Sequence, residues 1–520
     1  MNRRRGAGAA LLAGMVAAVL LLAAPAGARA NDSAMGGAGM AVKPIGSTTI
    51  RMAAETVQVV VFSQFAEYQV DFQFENTGSP QRVKLGFPFP VPIETDYTPP
   101  AAFRAWQGTT ALPVTYREVT EGGQTYGYYL HEADFPTGKT MIRVRYYAVP
   151  DRTLDTPPKG AVPPARFAGA WNFSGAYPYT VSTGAGWAGT IGTSVIRYYV
   201  SPDALMWGVD EAAKQTAGYF TENGMPAAAK LQLSYTKPAL ATYQWRFTDF
   251  EPTPDADGSS GYDIELPFYY PQPRGFKAPA WAPYATVRAS SQLKLGKYDY
   301  PAEQAVDGDP SDAWAEDAAG PGTGQSLVVT FPSARQVREI RVLPGYAKTE
   351  VLFRKYNRPR TLSVVFSDGT RTELTLTDDP DLQRFPVDVN AKWARVTIGD
   401  VYRGTTRNET YLSEIEFAEA KSPAVMPFED LIAAAETASP ASTSTAGKAG
   451  GGASGAFPAG AGFVGALRFP ARWRAFGWPL FALSVGCCGV LLGLLMATTF
   501  VLLARKRSES PSGPSGPPAP

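Results

Sequence analysis

Alternating apolar and polar residues, interrupted by proline and glycine, constrain the fold of this chain more than any other sequence feature. Between residues 68 and 74, Tyr, Val and Phe alternate with Gln and Asp, and a turn-forming segment follows at 76–80. A period of two is typical of a strand buried on one face. Similar runs occur at 141–149, 195–200 and 231–235. Because proline breaks such as 87–90 are confined to strand edges and starts, residues 31–275 predict a β-sandwich of many short strands rather than a parallel sheet, with one helical piece at 204–217.

Residues 281–418 contain a second set of strands with turns of its own. Apolar alternation marks strands at 327–331, 362–366 and 394–398, and Ser367-Asp368-Gly369 has the sequence of a hairpin turn. A segment of this length and strand content fits an eight-stranded jelly-roll sandwich. The chain is therefore predicted to be all-β, with a β-sandwich-like domain followed by a jelly-roll domain.

Two apolar segments lie outside these domains. Residues 1–30 combine three arginines, an apolar run and the small-residue motif Ala28-Arg29-Ala30, the pattern of a secretory signal peptide. Residues 478–504 contain no charged residue, and at ~1.5 Å rise per residue a helix of this length can cross a ~30 Å hydrocarbon core. We expect a type I single-pass protein of the cell membrane, with the bulk of the chain extracytoplasmic and a disordered cytoplasmic tail at 505–520.

The composition changes after the second domain. Residues 426–437 can form a short amphipathic helix, and residues 439–461 are rich in Ala, Gly, Ser and Thr. Such a composition is typical of a flexible linker. Residues 419–474 are therefore predicted to be a flexible stalk.

The second domain also has an acidic turn, Asp307-Gly308-Asp309-Pro310-Ser311-Asp312. Three carboxylates on a Gly/Pro turn can point several hard oxygens at one cation, as a reactive centre or as a structural clamp. A turn that is capped by its own carboxylates explains the same residues without a cation.

Composition excludes several classes of function. The chain has 48 basic and 47 acidic residues, so it presents no basic field for nucleic acid. Its only histidine is His131, which we expect at an exposed strand edge, and its only cysteines, Cys487 and Cys488, lie in the predicted span. A multi-His or Cys zinc site is therefore excluded outside the membrane. Glycoside hydrolysis by two carboxylates stays open, because acids are plentiful.

An aromatic, glycine-rich stretch at 172–187 has two interpretations. Exposed aromatic rings between glycines can stack on sugars. The favoured interpretation is a turn whose Trp187 caps the sandwich core, because burying aromatic area is strongly favourable.

Seven short motifs in residues 281–418 follow one another in the order found in a known family. They are Ala289-Ser290-Ser291, the turn from Asp307 to Trp314, Gly345-Tyr346-Ala347-Lys348, Tyr356-Asn357-Arg358-Pro359, Asp368-Gly369, Val401-Tyr402-Arg403-Gly404 and Leu412-Ser413-Glu414-Ile415. In these motifs the segment resembles the discoidin-like (coagulation factor V/VIII type C) modules. Among them it is most similar to the glycan-binding domain attached to streptococcal NAD-glycohydrolase toxins and to bacterial surface proteins.

The resemblance implies a structural Ca²⁺ that ties the acidic turn to the last strand. The implied ligands are Gln304, Asp307, Asp309, Asp312, Ser413 and Glu414. Gln304 and Ser413 would offer backbone carbonyls, and the other four would offer side-chain oxygens. Asp312 stands where the family usually has Thr or Ser, which adds a negative charge.

The resemblance also implies glycan recognition on loops at one end of the module. The candidates are Tyr346, Lys348, Arg354, Tyr356, Asn357, Arg358 and Arg403. Aromatic faces stack on sugar C–H surfaces, and Arg and Asn offer planar donors to hydroxyls. Tyr346 and Asn357 are equally well interpreted as structural loop residues.

Two hypotheses follow for the whole chain. The favoured one is a non-enzymatic, membrane-anchored bacterial surface protein that binds a glycan or cell-envelope polysaccharide through residues 281–418. The alternative is an envelope hydrolase in which residues 31–275 act through two carboxylates and the module only targets the enzyme.

Overall fold

The structure is a computed structural model that describes residues 43–44, 49–90, 100–121, 124–152, 155–157, 159–179, 181, 187–213, 233–251, 264–274 and 277–437. Strands dominate these residues, so the all-β prediction is confirmed. The predicted signal peptide, membrane span and cytoplasmic tail lie outside them. Within the described ranges, no helix has the length and apolar character needed to cross a membrane.

The described residues from 43 to 274 form the first β domain. Its strands are β1 (Lys43–Pro44), β2 (Arg51–Val61), β3 (Ala66–Asn76), β4 (Gln81–Pro90), β5 (Ala101–Gln107), β6 (Thr110–Leu112), β7 (Thr115–Glu121), β8 (Gln124–Phe135), β9 (Gly138–Ala148), β10 (Asp151–Arg152), β11 (Trp171–Tyr179), β12 (Ile191–Val200), β13 (Leu233–Ala239), β14 (Thr242–Phe250) and β15 (Ile264–Gln272). An eight-stranded sheet has the order β13-β14-β12-β2-β3-β9-β5-β6. A four-stranded sheet, β1-β4-β8-β7, and a three-stranded sheet, β10-β11-β15, complete the domain.

One aromatic-rich core joins the three sheets. In it, Tyr68 stacks on Tyr146 with their ring centroids 4.8 Å apart. Strands β2 and β8 reach 11 and 12 residues, and neither was among the runs predicted from the sequence. Strand β2 shows why: its second half is buried on both faces, so the apolar–polar alternation disappears there. Strands β2 and β12 also pair in parallel within this otherwise antiparallel sheet.

Three predictions for single features of this domain have different outcomes. Trp187 is buried with its ring centroid 4.2 Å from that of Phe74, so its place as a core cap is confirmed. Within the described part of the predicted helical piece, residues 204–213, the helix begins at residue 209 rather than 204. The prediction of an exposed His131 is wrong. It lies in the core 6.4 Å from the Phe103 ring, where burial lowers its pKa to about 4.

Residues 281–418, here called the module, form a sandwich around a separate core. Its strands are β16 (Thr286–Ala289), β17 (Leu293–Leu295), β18 (Tyr298–Tyr300), β19 (Trp314–Ala315), β20 (Ser326–Pro344), β21 (Arg358–Pro359), β22 (Thr361–Phe366), β23 (Arg371–Thr375), β24 (Gln383–Ile398), β25 (Val401–Tyr402) and β26 (Tyr411–Ala418). The main sheet has the order β19-β26-β20-β24-β22-β23, and β16 pairs with β20. The predicted hairpin turn joins β22 to β23, with Gly369 at a φ of 91° that favours glycine. A helix that was not predicted, α1 (Glu350–Lys355), begins after Thr349, whose side chain accepts a hydrogen bond from the backbone N–H of Leu352.

The module packs directly against the first β domain. An apolar cluster crosses the boundary and includes Phe62, Phe65 and Tyr147 from the first domain and Leu343 and Leu382 from the module. Backbone groups also meet there. The N–H of Ala102 donates to the carbonyl of Ala347 at 2.7 Å, with Ala102 held at a φ of 48° that is unusual for a residue with a side chain.

Arg341 of β20 is the most buried charge at this boundary, with 0% exposure. Its guanidinium donates to Glu339 at 2.8 Å and to Glu416 at 3.0 Å within the module, and to Asp203 of the first domain at 3.2 Å. The Phe62 ring lies 4.9 Å from the guanidinium carbon. A buried cation with three carboxylate partners is well satisfied, and removing it leaves those acids uncompensated.

A second group of ion pairs joins the domains nearer the surface. Asp381 of the module accepts from Arg104 at 2.6 Å and from Arg145 at 2.8 Å, and Arg384 of the module pairs with Glu67. These groups are only partly exposed, so solvent screens them less than it would screen surface pairs.

The described part of the predicted stalk, residues 419–437, contains a helix and packs against the first β domain. Residues 428–437 form helix α2 (Phe428–Thr437), within the amphipathic segment that the sequence indicated. Leu431 is fully buried against Val195, and Gln58 of β2 exchanges two hydrogen bonds with the backbone of Met426. The segment therefore packs back on the first β domain, because its apolar side chains are buried there against residues such as Val195.

We expect Arg341→Ala to destabilise the full chain by about 3–5 kcal/mol, because it leaves Glu339, Glu416 and Asp203 without their shared cation. The control is Arg338→Ala on the same strand, whose side chain is 54% exposed and should change stability by no more than about 0.5 kcal/mol. Urea denaturation followed by fluorescence measures both. Equal stability of the two variants would contradict this account of the boundary.

Candidate functional site

The acidic turn follows a 3₁₀ turn at Ala302–Ala305. The carboxylate of Asp307 accepts from the N–H of Asp309 at 3.0 Å, and that of Asp309 accepts from the N–H of Ser311 at 2.9 Å. Gly308 has a φ of 81°, and a Cβ at this position would collide with Gln64 of the first domain. The turn therefore lies against the domain boundary, and glycine is required there for both conformation and space.

Several oxygens beside this turn are buried without a hydrogen-bond partner. They are the side-chain carbonyl of Gln304, one carboxylate oxygen of Asp312 and both carboxylate oxygens of Glu414. Burial, together with the negative charges of Asp307 and Asp309, raises the pKa of Asp312 to about 8. Burial also raises the pKa of Glu414 well above its usual range, and the neighbouring acids add to this. Buried acceptors of like charge are costly unless a cation or protons compensate them.

The donor types of this group fit Ca²⁺, which prefers carboxylate and carbonyl oxygens. Its side chains as placed do not form a closed shell: in the described part of the chain, no three His, Cys, Asp or Glu residues are arranged as a metal site. Ser413, proposed as a carbonyl ligand, uses its hydroxyl to donate to the carbonyl of Asp312 at 2.7 Å and to accept from the N–H of Ala347. Ser413 thus ties the last strand to the turn whether or not an ion is bound.

Two of the predicted glycan-binding residues are used inside the module, so we reassign them as structural. Asn357 is buried, donates to the carbonyl of Asn408 and accepts from the N–H of Gly404. Arg358 is 5% exposed, and two nitrogens of its guanidinium donate to the carboxylate of Asp378 at 2.5 and 2.7 Å. The sequence alone does not distinguish a structural role from a ligand-binding role, because Asn and Arg offer the same hydrogen-bond donors in either one.

The three other basic candidates remain accessible to different degrees. Arg354 is exposed and lies within 3.6 Å of Glu350 and 3.3 Å of Asp378. Lys348 is half-buried near Asp312, and Arg403 is exposed.

Tyr346 and Tyr356 belong to a tyrosine cluster that also contains Tyr300 and Tyr411. Tyr411 is fully buried in the middle, parallel to Tyr346 at 5.6 Å and stacked on Tyr356 at 4.4 Å. Tyr300 meets Tyr411 edge to face at 5.2 Å. Tyr300 and Tyr346 are half-buried and form the accessible part of the cluster. Tyr300 and Tyr411 were not predicted from the sequence, although the aromatic strand at 298–300 is a signal from which Tyr300 could have been predicted.

Two acids in the first β domain bear on the hydrolase alternative. Strand register places Asp151 opposite Ala176 and Glu265 opposite Pro178, so both carboxyls lie on one face of the three-stranded sheet. Burial raises the pKa of each to about 7, and Glu265 adds to the shift of Asp151. Strand β11 lies between them, so their Cα atoms are separated by at least two strand spacings, about 10 Å.

Comparison with known proteins places the module in a family. Residues 281–418 match the family model described as the NAD glycohydrolase translocation F5/8 type C domain. These residues are a discoidin-like domain. The resemblance inferred from the seven motifs is thereby confirmed for this quarter of the chain. No curated protein matches the chain in sequence.

Similar solved structures include a putative nutrient binding protein from Legionella pneumophila, at 18% identity and a TM-score of 0.31, over 46% of this chain and 72% of that one. The family 32 CBM from C. perfringens NanJ, solved with galactose, has 19% identity and a TM-score of 0.19, over 25% and 90% of the two chains. A pectin binding carbohydrate binding module has 16% identity and a TM-score of 0.21, over 28% and 94%. At these TM-scores the similarities support no functional conclusion.

We expect Arg358→Ala to lower the stability of the full chain by about 2–3 kcal/mol, because Asp378 and the carbonyls of Tyr356 and Arg403 lose a charged donor. The control is Arg403→Ala, an exposed side chain in the same loop region, with an expected change within about 0.5 kcal/mol. Denaturant melts compare the two variants. A stable Arg358→Ala protein would return Arg358 to the list of ligand-binding candidates.

Proposed function

We propose that this chain is a type I membrane-anchored, non-catalytic bacterial surface protein that binds a glycan or cell-envelope polysaccharide through its discoidin-like module. The observation that carries the proposal is the tyrosine cluster. Two of its rings, Tyr300 and Tyr346, reach the surface and are held from behind by the buried ring of Tyr411. The anchoring part of the proposal is supported by the apolar sequence at 478–504.

Stacked tyrosines suit a sugar for a physical reason. A pyranose offers a flat C–H surface that packs on an aromatic face, and its hydroxyls need polar partners at the ring edge. Packing against Tyr411 and Tyr356 restrains the exposed rings, so little conformational entropy is lost when a sugar binds. The guanidinium of Arg407 lies near enough to Tyr411 and Tyr356 to interact with both electrostatically, so it is a polar partner at the cluster.

We further propose that Ca²⁺ binds beside the acidic turn as a structural clamp. The partnerless oxygens of Gln304, Asp312 and Glu414 support this, because their donor types match the ion. The carboxylates of Asp307 and Asp309 would supply the remaining negative charge that binds the Ca²⁺ ion. The ion would join the turn to strand β26, and it would take no part in a reaction.

The hydrolase alternative rests on Asp151 and Glu265, two acids of the first β domain whose pKa values burial raises to about 7. A pair of carboxyls with separated roles is what glycoside hydrolysis requires. We favour binding without catalysis, because strand β11 stands between the two acids.

We expect the full chain, in a detergent without a sugar headgroup, to bind a glycan array that includes bacterial envelope polysaccharides. Tyr346→Ala should weaken binding about tenfold, the equivalent of about 1.4 kcal/mol, because one stacking face is lost. Tyr346→Phe keeps the face and should bind normally.

Tyr116→Ala serves as the matched control for that experiment, since Tyr116 is an exposed tyrosine of the first domain. Melting temperatures report whether each variant is folded. Equal binding by Tyr346→Ala and the native chain would refute the role of the cluster. Release of a shorter sugar that stops in Asp151→Asn would establish the hydrolase instead.

Calcium should raise the melting temperature of the full chain. At 100 times its Kd, the bound ion should add about 2.7 kcal/mol to the free energy of unfolding. Asp312→Asn should remove most of this shift, because it removes a charge from the ligand group. Asp317→Asn changes a neighbouring exposed acid and should leave the shift intact. Differential scanning fluorimetry with and without chelator measures all three proteins, and an identical melting temperature of the native chain in both conditions would exclude the clamp.

A further inference from the structure

A cleft of about 620 Å³ lies between the first β domain and the module, apart from the tyrosine cluster. None of the four clustered tyrosines lines it. This volume is within the range of small-molecule sites, which often occur where domains meet. Both domains contribute to it, so it exists only because they are held together.

Aromatic core residues form the floor of the cleft on the side of the first domain, where Tyr177, Phe268 and Tyr270 keep 1%, 3% and 7% of their surface exposed. Register places Tyr177, Phe268 and Tyr270 on one face of the β10-β11-β15 sheet, and all three line the cleft. Tyr177 and Phe268 stack with ring centroids 5.4 Å apart, and Arg152 lies over Tyr270 at 5.4 Å. The core of the domain supports these rings from behind, so the surface is preformed.

The opposite side comes from the start of the module. Trp281 and Tyr284 line the cleft there, and each is fixed by a contact elsewhere. Trp281 meets Phe167 edge to face at 5.6 Å, while the hydroxyl of Tyr284 accepts from the N–H of Phe417 at 3.1 Å. A ring-shaped ligand would therefore find aromatic groups on two sides.

The polar groups of the cleft carry charges of both signs. Arg152 and Arg288 are exposed guanidiniums, and Glu303 is an exposed carboxylate, while Asp307 also lines the cleft but belongs to the proposed calcium group. Arginine only donates hydrogen bonds and an ionised carboxylate only accepts them, whereas a hydroxyl does both. A sugar with several hydroxyls can use both kinds of group. An anionic sugar would face the carboxylate of Glu303, and a cationic amino sugar would face the two guanidiniums.

We propose that this cleft is a second saccharide site, which binds a neutral, disaccharide-sized sugar between the first β domain and the module. The aromatic walls pack on its C–H faces. Arg152 and Arg288 donate to its hydroxyls, and Glu303 accepts from them. The first β domain thereby supplies half of a binding site.

The test titrates the full chain, in a detergent without a sugar headgroup, with cellobiose, maltose, lactose and N,N′-diacetylchitobiose, followed by saturation-transfer NMR and calorimetry. We expect at least one of these sugars to bind. Arg288→Ala and Trp281→Ala should each weaken that binding about tenfold, because each removes a polar or a stacking contact. Arg288 is exposed, so Arg288→Ala should fold and should still test the cleft if Trp281→Ala does not fold.

A control variant and a variant of the other site locate the bound sugar. Arg371→Ala, at an exposed arginine of β23, should bind normally. Tyr346→Ala separates the two sites, because it removes a ring from the tyrosine cluster and none from the cleft. Loss of binding in Tyr346→Ala but not in Arg288→Ala would overturn the cleft while supporting the tyrosine cluster. The cleft is also overturned if none of the four sugars binds, or if digalacturonate binds more tightly than all of them.

Discussion

The buried guanidinium of Arg341 is the interaction on which the rest of this structure depends. It has 0% exposure, and its partners come from two strands of the module and from Asp203 of the first β domain. A charge in this position is tolerated only while every partner is in place, so it favours a single arrangement of the two domains. The backbone carbonyl of Ala420 also accepts from it at 3.1 Å, which brings the segment after the module into the same network. The cleft and the contact of Gln64 with the acidic turn both follow from this arrangement.

The acidic turn is defined by its place at the domain boundary as well as by its three carboxylates. It identifies the module, it lies against the first β domain, and its neighbours include buried acceptors that lack partners. A bound cation there would stiffen the module and its boundary together. Sugar recognition is proposed at the tyrosine cluster and in the cleft, and the turn contributes Asp307 to the lining of the cleft.

Local patterns in the sequence predicted local features well. The Ser367-Asp368-Gly369 turn, the core position of Trp187 and the family of the module all depend on residues close together in the chain. The boundary between the domains could not be predicted in this way, because Arg341 and Asp203 are 138 residues apart and Gln58 and Met426 are 368 apart. Burial was the other source of error. His131 and Arg358 have polar side chains that suit a surface, and only the fold shows that they lie inside it.

The central claim is that the first β domain, the module and residues 419–437 unfold as one body, because buried charge and apolar contacts join all three. Differential scanning calorimetry of the full chain tests it most directly. The account predicts a single transition whose calorimetric and van't Hoff enthalpies agree. Two separate transitions, one of which corresponds to the module alone, would contradict it.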